Sequence, residues 1–360
     1  MGSVTGNVLK LSVFGESHGA GIGAVIDGFP SGIRIDDDYV AEQMKRRSAS
    51  GNPLATPRKE PDLVEVLSGV FNGFSEGTPI CGLIRNTSTR SGDYSELAVK
   101  PRPGHADYTA GIRYGGFQDY RGGGHFSGRL TAPLVFAGAL ARLALKQLYP
   151  GVQIGSRIVS AAGVHDPSVI DDYETLTFEN PAFPVADSDC GEAMRAEIIE
   201  AMREKDSAGG VIEGYVTGLP AGLGDPMFGS VESRLASMLF SVPAVKGVEF
   251  GIGFAFADLR GSEANDPFYM ENGKVKTKSN NNGGINGGIT NGMPVVYRCA
   301  VKPTPSVAVE QDTVNLKTGT DEKLVIHGRH DPCIIVRACP VIEAVTAFVL
   351  LDMLLESRVC

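Results

Sequence analysis

The sequence predicts an α+β fold in which internally duplicated β-α-β units place central helices between antiparallel sheets. Three observations lead there. Short strand-like runs recur between turns rich in glycine and proline. Two long stretches, Leu130 to Leu148 and Pro340 to Ser357, are apolar most of the way round, as helices covered on all sides are. Two pairs of segments also repeat in order: VIDGFPSGI (25 to 33) resembles YVTGLPAGL (215 to 223), and GVFNGFSEGTPICGLI (69 to 84) resembles GGITNGMPVVYRCAV (287 to 301). Each half, about 1–150 and 190–360, ends in an apolar helix, so the 360 residues read as one domain with two related halves.

Taken in order, Leu9 to Phe14 is a strand, GESHG (15 to 19) a connection, and Ile22 to Asp27 a second strand. The glycines at 19, 21 and 23 superficially match a dinucleotide fingerprint. That motif needs a helix after them, and here a strand-like run follows, so the match is rejected. Asp36 to Arg47 is a helix, with Lys45, Arg46 and Arg47 in the last turn where cations suit the dipole. An irregular basic segment, Ser48 to Lys59, leads to strands Leu63 to Gly69 and Pro79 to Ile84. The second half holds helices Cys190 to Lys205 and Val231 to Phe240, strands Gly209 to Leu219 and Pro294 to Lys302, and a glycine-rich loop at 283 to 292.

Bulk properties exclude several classes. With 42% apolar residues the chain can bury a large core. No apolar run reaches the length of a membrane span, roughly 18 residues, and the start lacks a signal pattern, so a cytoplasmic protein is expected. Six scattered cysteines without a C-x-x-C spacing indicate neither a zinc site nor a disulfide framework. A net charge of -9 argues against nucleic acid as a partner. Within that acidic chain, residues 101–133 form a positive island: Arg102, Arg113, Arg121, Arg129, His105 and His125 against Asp107 and Asp119. Its glycines let backbone approach a ligand, and guanidinium forks suit phosphate or carboxylate oxygens. A surface loop with scattered arginines would look the same in isolation, so the other segments decide.

Five pieces carry functional groups in turn-like settings: GESHG (15 to 19), RPGHAD (102 to 107), RGGGHFSGR (121 to 129), VKPTPS (301 to 306) and GRHDPC (328 to 333). Histidine donates a proton near neutral pH, and a neighbouring arginine or phosphate tunes when it does so. Ser17 and His18 are adjacent and cannot form a nucleophile and base pair, and no G-x-S-x-G elbow is present. His105, His125 and His330 lack the helical spacing of a zinc site.

Together GESHG, RPGHADYT with the following Y-R-G-G-G-x-x-S-x-R, V-K-P-T-x-S, and GRHDPC with Glu343 ten residues past Cys333 resemble the chorismate synthase family over nearly the whole chain. The resemblance implies an anti-1,4 elimination of phosphate from 5-enolpyruvylshikimate 3-phosphate to give chorismate. It implies reduced FMN as cofactor with no net redox change, NADPH as an indirect reductant through an external flavin reductase, and a homotetramer. By the family's pattern, Ser17, Arg47, Arg102, Ser127, Arg129 and Arg329 face the substrate. His18 is implied to protonate the leaving phosphate, His105 the reduced flavin. Asp331 is implied to hold the flavin's position-5 nitrogen as base for the hydrogen at substrate position 6. The flavin positions fall on Arg47, His125, Phe126, Ser127, Pro243, Ala244, Gly287, Lys302, Pro303, Thr304, Pro305, Ser306 and Arg329.

The chain departs from the family at His125 and Phe126, where arginine then serine are common, at Leu130 (glutamate) and at Pro243 (asparagine). The second arginine after the first helix aligns with Pro53, leaving Arg47 and Arg58. These changes bear on contacts with the phosphate end of FMN and with NADPH. A flavin reductase or other oxidoreductase would also explain glycine loops with arginines, but not two histidine loops; a non-enzymatic anion-binding protein would explain the arginines alone. Arginines gathered from three distant segments repel one another, so residues 45–59 and 101–128 are expected to order only when flavin and substrate arrive.

Overall fold

Two five-stranded antiparallel sheets enclose a layer of helices in this computed structural model, which describes residues 2–48, 54, 62–87, 96–326 and 331–357. The first sheet runs Val4–Thr5, Lys10–Gly15, Gly21–Asp27, Ile80–Arg85, Val64–Ser68 from edge to edge. The second runs Val164–His165, Gln153–Ala161, Gly210–Thr217, Val295–Val301, Val245–Phe250. The last four strands of each follow the same chain order. In both sheets the third strand pairs with the second and with the strand from the end of that half.

The repeated turns make the same hydrogen bonds twice. The Ser75 hydroxyl donates to the Pro30 carbonyl and accepts the Ile33 amide, while the Ser75 carbonyl accepts the Gly32 amide. The Thr290 hydroxyl likewise donates to the Pro220 carbonyl and accepts the Leu223 amide, and its carbonyl accepts the Gly222 amide. Sequence self-similarity at 25–33 and 215–223 thus corresponds to matching local geometry.

The helices are α1 (Asp37–Arg47), α2 (Asp107–Arg113), α3 (Thr131–Leu148), α4 (Ser188–Arg203), α5 (Val231–Leu239), α6 (Gly261–Ala264) and α7 (Ile335–Ser357). α3 and α7 lie together at the centre, with α1 packed on both. Gly138 sets their closeness, since a Cβ there would stand 2.3 Å from the Ala344 Cα. Phe136 of α3 packs on the first sheet at Gly82, and Ile335 of α7 on the second at Gly210. By length and composition α3 and α7 could each cross a membrane, a feature a search for uninterrupted apolar runs passes over. Here they are buried between the sheets, so their apolar surface is the core.

α7 begins five residues before the expected Pro340. Proline is the sixth residue of the helix, so the one hydrogen bond it removes falls in the opening turns, and the apolar run continues upstream of it. The strands Gln153–Ala161 and Val245–Phe250 and the hairpins Phe268–Glu271/Lys274–Thr277 and Gln311–Asn315/Thr320–Leu324 are additions to the elements the sequence pattern predicts.

One buried carboxylate ties the central layer together. Glu343 of α7 accepts both Arg46 Nη atoms of α1 at 2.6 and 2.8 Å, Arg142 Nη1 of α3 at 2.7 Å and the Ser156 hydroxyl of the second sheet at 2.8 Å. Burial alone would raise its pKa. The hydrogen bonds and charge of Arg46, then of Arg142, overcome that and hold it down at about 2. The next residue along α1 is Arg47, which turns to a cavity.

Candidate active site

That cavity, about 900 Å³, lies at one end of the helical layer. Apolar wall comes from Leu134 of α3, Met238 of α5, Val242 and Val341; Arg47 of α1 and Arg337 of α7 face it from helices, and Arg102, Arg129, His105, His125 and Lys302 from the connecting segments. The positive island builds one side. Gly122, Gly123 and Gly124 have φ of 58°, 85° and 53°, a left-handed run that side-chain-bearing residues resist. Two histidine rings pack against it: a Cβ on Gly122 would come 2.3 Å from the His18 ring, and one on Gly123 3.0 Å from that of His105. Ser17 fixes GESHG to this run, its amide donating to the Gly124 carbonyl at 3.2 Å and its hydroxyl to the Gly122 carbonyl at 3.1 Å. His18 and Ser17 therefore stand behind Gly122, which itself lines the cavity.

His105 is held by a carboxylate. Its Nδ1 lies 2.7 Å from Asp107 Oδ1, and Arg102 grips the same carboxylate through Nε at 2.7 Å and Nη2 at 2.8 Å. Nδ1 can either donate to Asp107 or accept from Arg102, whose Nη2 is 3.0 Å away. The shorter contact to an anion selects donation, leaving Nε2 as the ring's acceptor, 3.2 Å from the same Arg102 Nη2. Burial would raise the Asp107 pKa; hydrogen bonds from Arg102 and then His105 hold it well below the usual carboxylate range. Arg102 Nη1 also donates to the Ser306 hydroxyl at 3.0 Å, bringing the VKPTPS loop to the island.

Opposite, Arg47 donates to Thr131 Oγ1 (3.0 Å), the Gly128 carbonyl (3.0 Å) and Asp62 Oδ2 (2.6 Å). Arg129 Nη1 contacts the other Asp62 oxygen, and its Nε donates to Asn86 Oδ1 at 3.3 Å. Burial lowers the Arg47 guanidinium to about 10, with Asp62 opposing and the Arg337 and Arg129 charges adding to it, so it stays charged at neutral pH. Burial alone would raise Asp62, but the Arg47 and Arg129 charges outweigh it and hold the carboxyl below its ordinary value. Asp331 accepts Arg337 Nη1 at 2.7 Å on the remaining side. Lys302 is pulled below its usual pKa by burial and then by Lys246.

Most expected residues meet here: Arg47, Arg102, His105, His125, Phe126, Ser127, Arg129, Pro243, Ala244, Lys302, Thr304, Pro305, Ser306 and Asp331 all line the cavity. His125 is anchored instead of reaching inward, with Nδ1 2.8 Å from the Gly15 carbonyl and Nε2 3.0 Å from the Ser3 hydroxyl. Ala244 adopts φ 75° as its carbonyl accepts the Lys302 amide, a strained conformation for a residue with a Cβ. Ser17 and His18 stand behind the wall at Gly122, and two further expectations fall elsewhere. Gly287 is an exposed turn residue between the short strands Ile285–Asn286 and Ile289–Thr290, and Pro303 faces a separate shallow hollow. Arg329, His330, Pro53 and Arg58 lie outside the described residues, as does most of the 45–59 stretch. Sequence reasoning misses Asp62, Arg337 and Asn86, and counts Asp107 only as a charge. The i, i+3 and i, i+5 spacing of Arg102, His105 and Asp107 within one tight turn is the available signal for the last.

The cavity can take an apolar ring system beside a small anion. Its volume is near the upper end for ligand sites, which reach about 1000 Å³. It offers an apolar wall for a ring system and cations around it. Comparison with known proteins points the same way. The sequence model described as Chorismate synthase matches residues 9–355. The chain is 48% identical over 355 residues to chorismate synthase of Pyrococcus abyssi, covering 98% of both chains. It is 44% identical over 361 residues to chorismate synthase of Dehalococcoides mccartyi, covering 100% of this chain and 98% of that one. A solved structure titled "Crystal Structure of Chorismate Synthase" superposes with a TM-score of 0.75 at 29% identity, covering 98% of this chain and 93% of the other. With the histidine, arginine and carboxylate positions gathered on one cavity and the match running nearly end to end, the chain belongs to the chorismate synthase family.

Proposed function

We propose that this cavity is where the family's reaction takes place, the anti-1,4 elimination of phosphate from 5-enolpyruvylshikimate 3-phosphate to chorismate. Arg47, Arg102, Arg129 and Arg329 hold the substrate's two carboxylates and phosphate, with Ser17 and Ser127 beside them. His18 gives a proton to the departing phosphate, which leaves more readily once protonated. His105, with Nδ1 turned to Asp107, moves a proton at Nε2 on the flavin side. Asp331, paired with Arg337, holds the base position for the hydrogen at substrate position 6. Reduced FMN, when bound, supplies electron density to the electron-poor allylic centre. Leu134, Met238, Val242 and Ala244 exclude water from its ring, and Lys302 to Ser306 with Arg47 and Ser127 hold its polar parts. His125, Phe126, Pro243 and Gly287 complete the flavin positions, Gly287 and Pro303 acting from outside the cavity of a single chain.

The observation that carries this reading is the Arg102–Asp107–His105 cluster packed on the same triglycine as His18. Incubation with 5-enolpyruvylshikimate 3-phosphate and chemically reduced FMN under anaerobic conditions tests it. Stoichiometric phosphate release without flavin oxidation is expected. Flavin oxidation without phosphate release would favour the oxidoreductase reading, and neither would favour simple anion binding.

The same reading includes an external flavin reductase, NADPH as an indirect reductant, and a homotetramer. Exposed Met227, Phe228, Phe254, Phe268 and Met270 give subunits apolar surface to bury. An internal duplication is supported by the shared strand order and by the matching Ser75 and Thr290 turns.

A further inference from the structure

We propose that Tyr114 and Phe126 form an aromatic clip for a flat conjugated ring, so that this edge of the cavity takes the ring of the flavin and not its phosphate. This rests on the reading that the cavity takes the flavin. Tyr114 closes α2 and Phe126 follows the triglycine run, and both line the cavity. Their ring centroids lie 6.1 Å apart with the planes tilted by 56°, a spacing at which aromatic pairs attract. Neither ring lies flat on the other, and both stay open, Tyr114 at 51% exposure and Phe126 at 37%. Apolar surface of this kind facing a cavity is stabilised when a ligand covers it. In the chain the two residues flank Gly122 and Gly123, on which the His18 and His105 rings pack. Phe240 lines the cavity too, but from the end of α5.

The residue beside Phe126 explains why a ring and not a phosphate belongs here. A carbonyl only accepts, so His125 Nδ1 donates to Gly15 at 2.8 Å, and Nε2 is engaged by the Ser3 hydroxyl at 3.0 Å. Both nitrogens are thus held within the protein, and Phe126 brings no polar group. Where arginine then serine, two donors suited to phosphate oxygens, are common in the family, this chain presents an anchored imidazole and a phenyl ring. Lys302 and Thr304 line the cavity from another loop and offer a cation and a hydroxyl for the phosphate end. The aliphatic wall of Leu134, Met238 and Val242 gives a ring apolar contact alone. An aromatic pair adds the edge and face contacts that favour a conjugated ring over other apolar groups.

The test titrates oxidised FMN and, separately, riboflavin, which shares the ring and lacks the phosphate, into wild type and variants. Kd is read from flavin absorbance, with the unfolding temperature as a check on the fold. Phe126→Ser should weaken both flavins by the same factor, about three- to tenfold, and Phe126→Tyr should bring both back to within about twofold of wild type. Tyr114→Phe should keep both affinities and raise the fluorescence of the bound flavin. The reason is that an electron-rich phenol in contact with an excited flavin lends it an electron and quenches the emission, whereas a phenyl ring does not. Unchanged Kd values in Phe126→Ser overturn the proposal, and so does a loss confined to FMN, which would put the phosphate at 126. Unchanged fluorescence in Tyr114→Phe overturns the clip as a pair, and that measurement decides should Phe126→Ser not fold. Failure of the clip leaves wild type binding both flavins; wild type that binds neither overturns the reading of the cavity itself, and the clip with it.

Discussion

His18 is the residue on which the proposed chemistry is most exposed to test. Its ring packs on Gly122, behind the cavity wall, and Ser17 Oγ lies 3.3 Å from its Nδ1. A general acid placed there acts through the gap that glycine leaves, since any side chain at 122 would meet the ring. His18→Ala should lower turnover by roughly 10²- to 10⁴-fold while flavin binding, followed by absorbance, stays within a few-fold. Unchanged turnover would remove His18 from the mechanism. His18, His105, His125, Arg102 and Arg129 are legible in the sequence because each sits in a short glycine-containing motif. Their acidic partners are not: Asp62 lies in an unremarkable stretch before a strand, and only folding shows that 47, 62 and 129 converge. A charge count over 101–133 makes that segment a positive island, whereas in space Asp62, Asp107 and Asp119 each answer an arginine.

At the level of elements, the central helices are readable because apolar residues cover them all round, and their contact is not, because no pattern says which small residue faces which. Gly138 is that residue. Alanine normally favours a helix interior over glycine by about 1 kcal/mol. Here the added Cβ would stand 2.3 Å from both the Cα and Cβ of Ala344, which close-packed helices cannot relieve without separating. Gly138→Ala should therefore destabilise by about 1–3 kcal/mol, seen as a lower unfolding midpoint in denaturant. A higher midpoint would mean the helices have room. The Glu343 clamp on the same layer gives a pH signature. Its pKa falls from 4.5 to about 2 on folding, so its contribution is complete above 4.5 and lost as pH drops towards 2. Wild type should lose stability over that window by a few kcal/mol more than Glu343→Gln, their curves converging at the acid end. A constant gap between them at every pH would show that the carboxylate's charge contributes nothing.

For the whole molecule, two short repeats mark turns with matching hydrogen bonds in two sheets of the same strand order, and the strands between them emerge only in space, since long-range pairing leaves little local trace. The same lesson applies to closure. Arginines drawn from distant segments suggest a cavity that flies apart until ligands arrive, an inference that takes the cations to be unopposed. Arg47, Arg102, Arg129 and Arg337 in fact share Asp62, Asp107 and Asp331. The 101–128 segment is further bound by its own backbone, with the Ala110, Tyr114, Gly116 and Gly123 amides all paired. It is also tied outward: Ser17 donates to the Gly124 carbonyl, Thr313 Oγ1 to that of Pro101 and Lys302 to that of Gly104. Each of these guanidiniums thus meets a carboxylate before any ligand enters, which weakens the electrostatic reason for the segment to open. Hydrogen exchange on the free protein should find these four amides already protected, and adding FMN with the phosphate-bearing substrate should slow them by less than about tenfold. Protection that arises only when both ligands are present would mean that the internal carboxylates are too weak to hold the arginines, and that the site is assembled by its ligands after all.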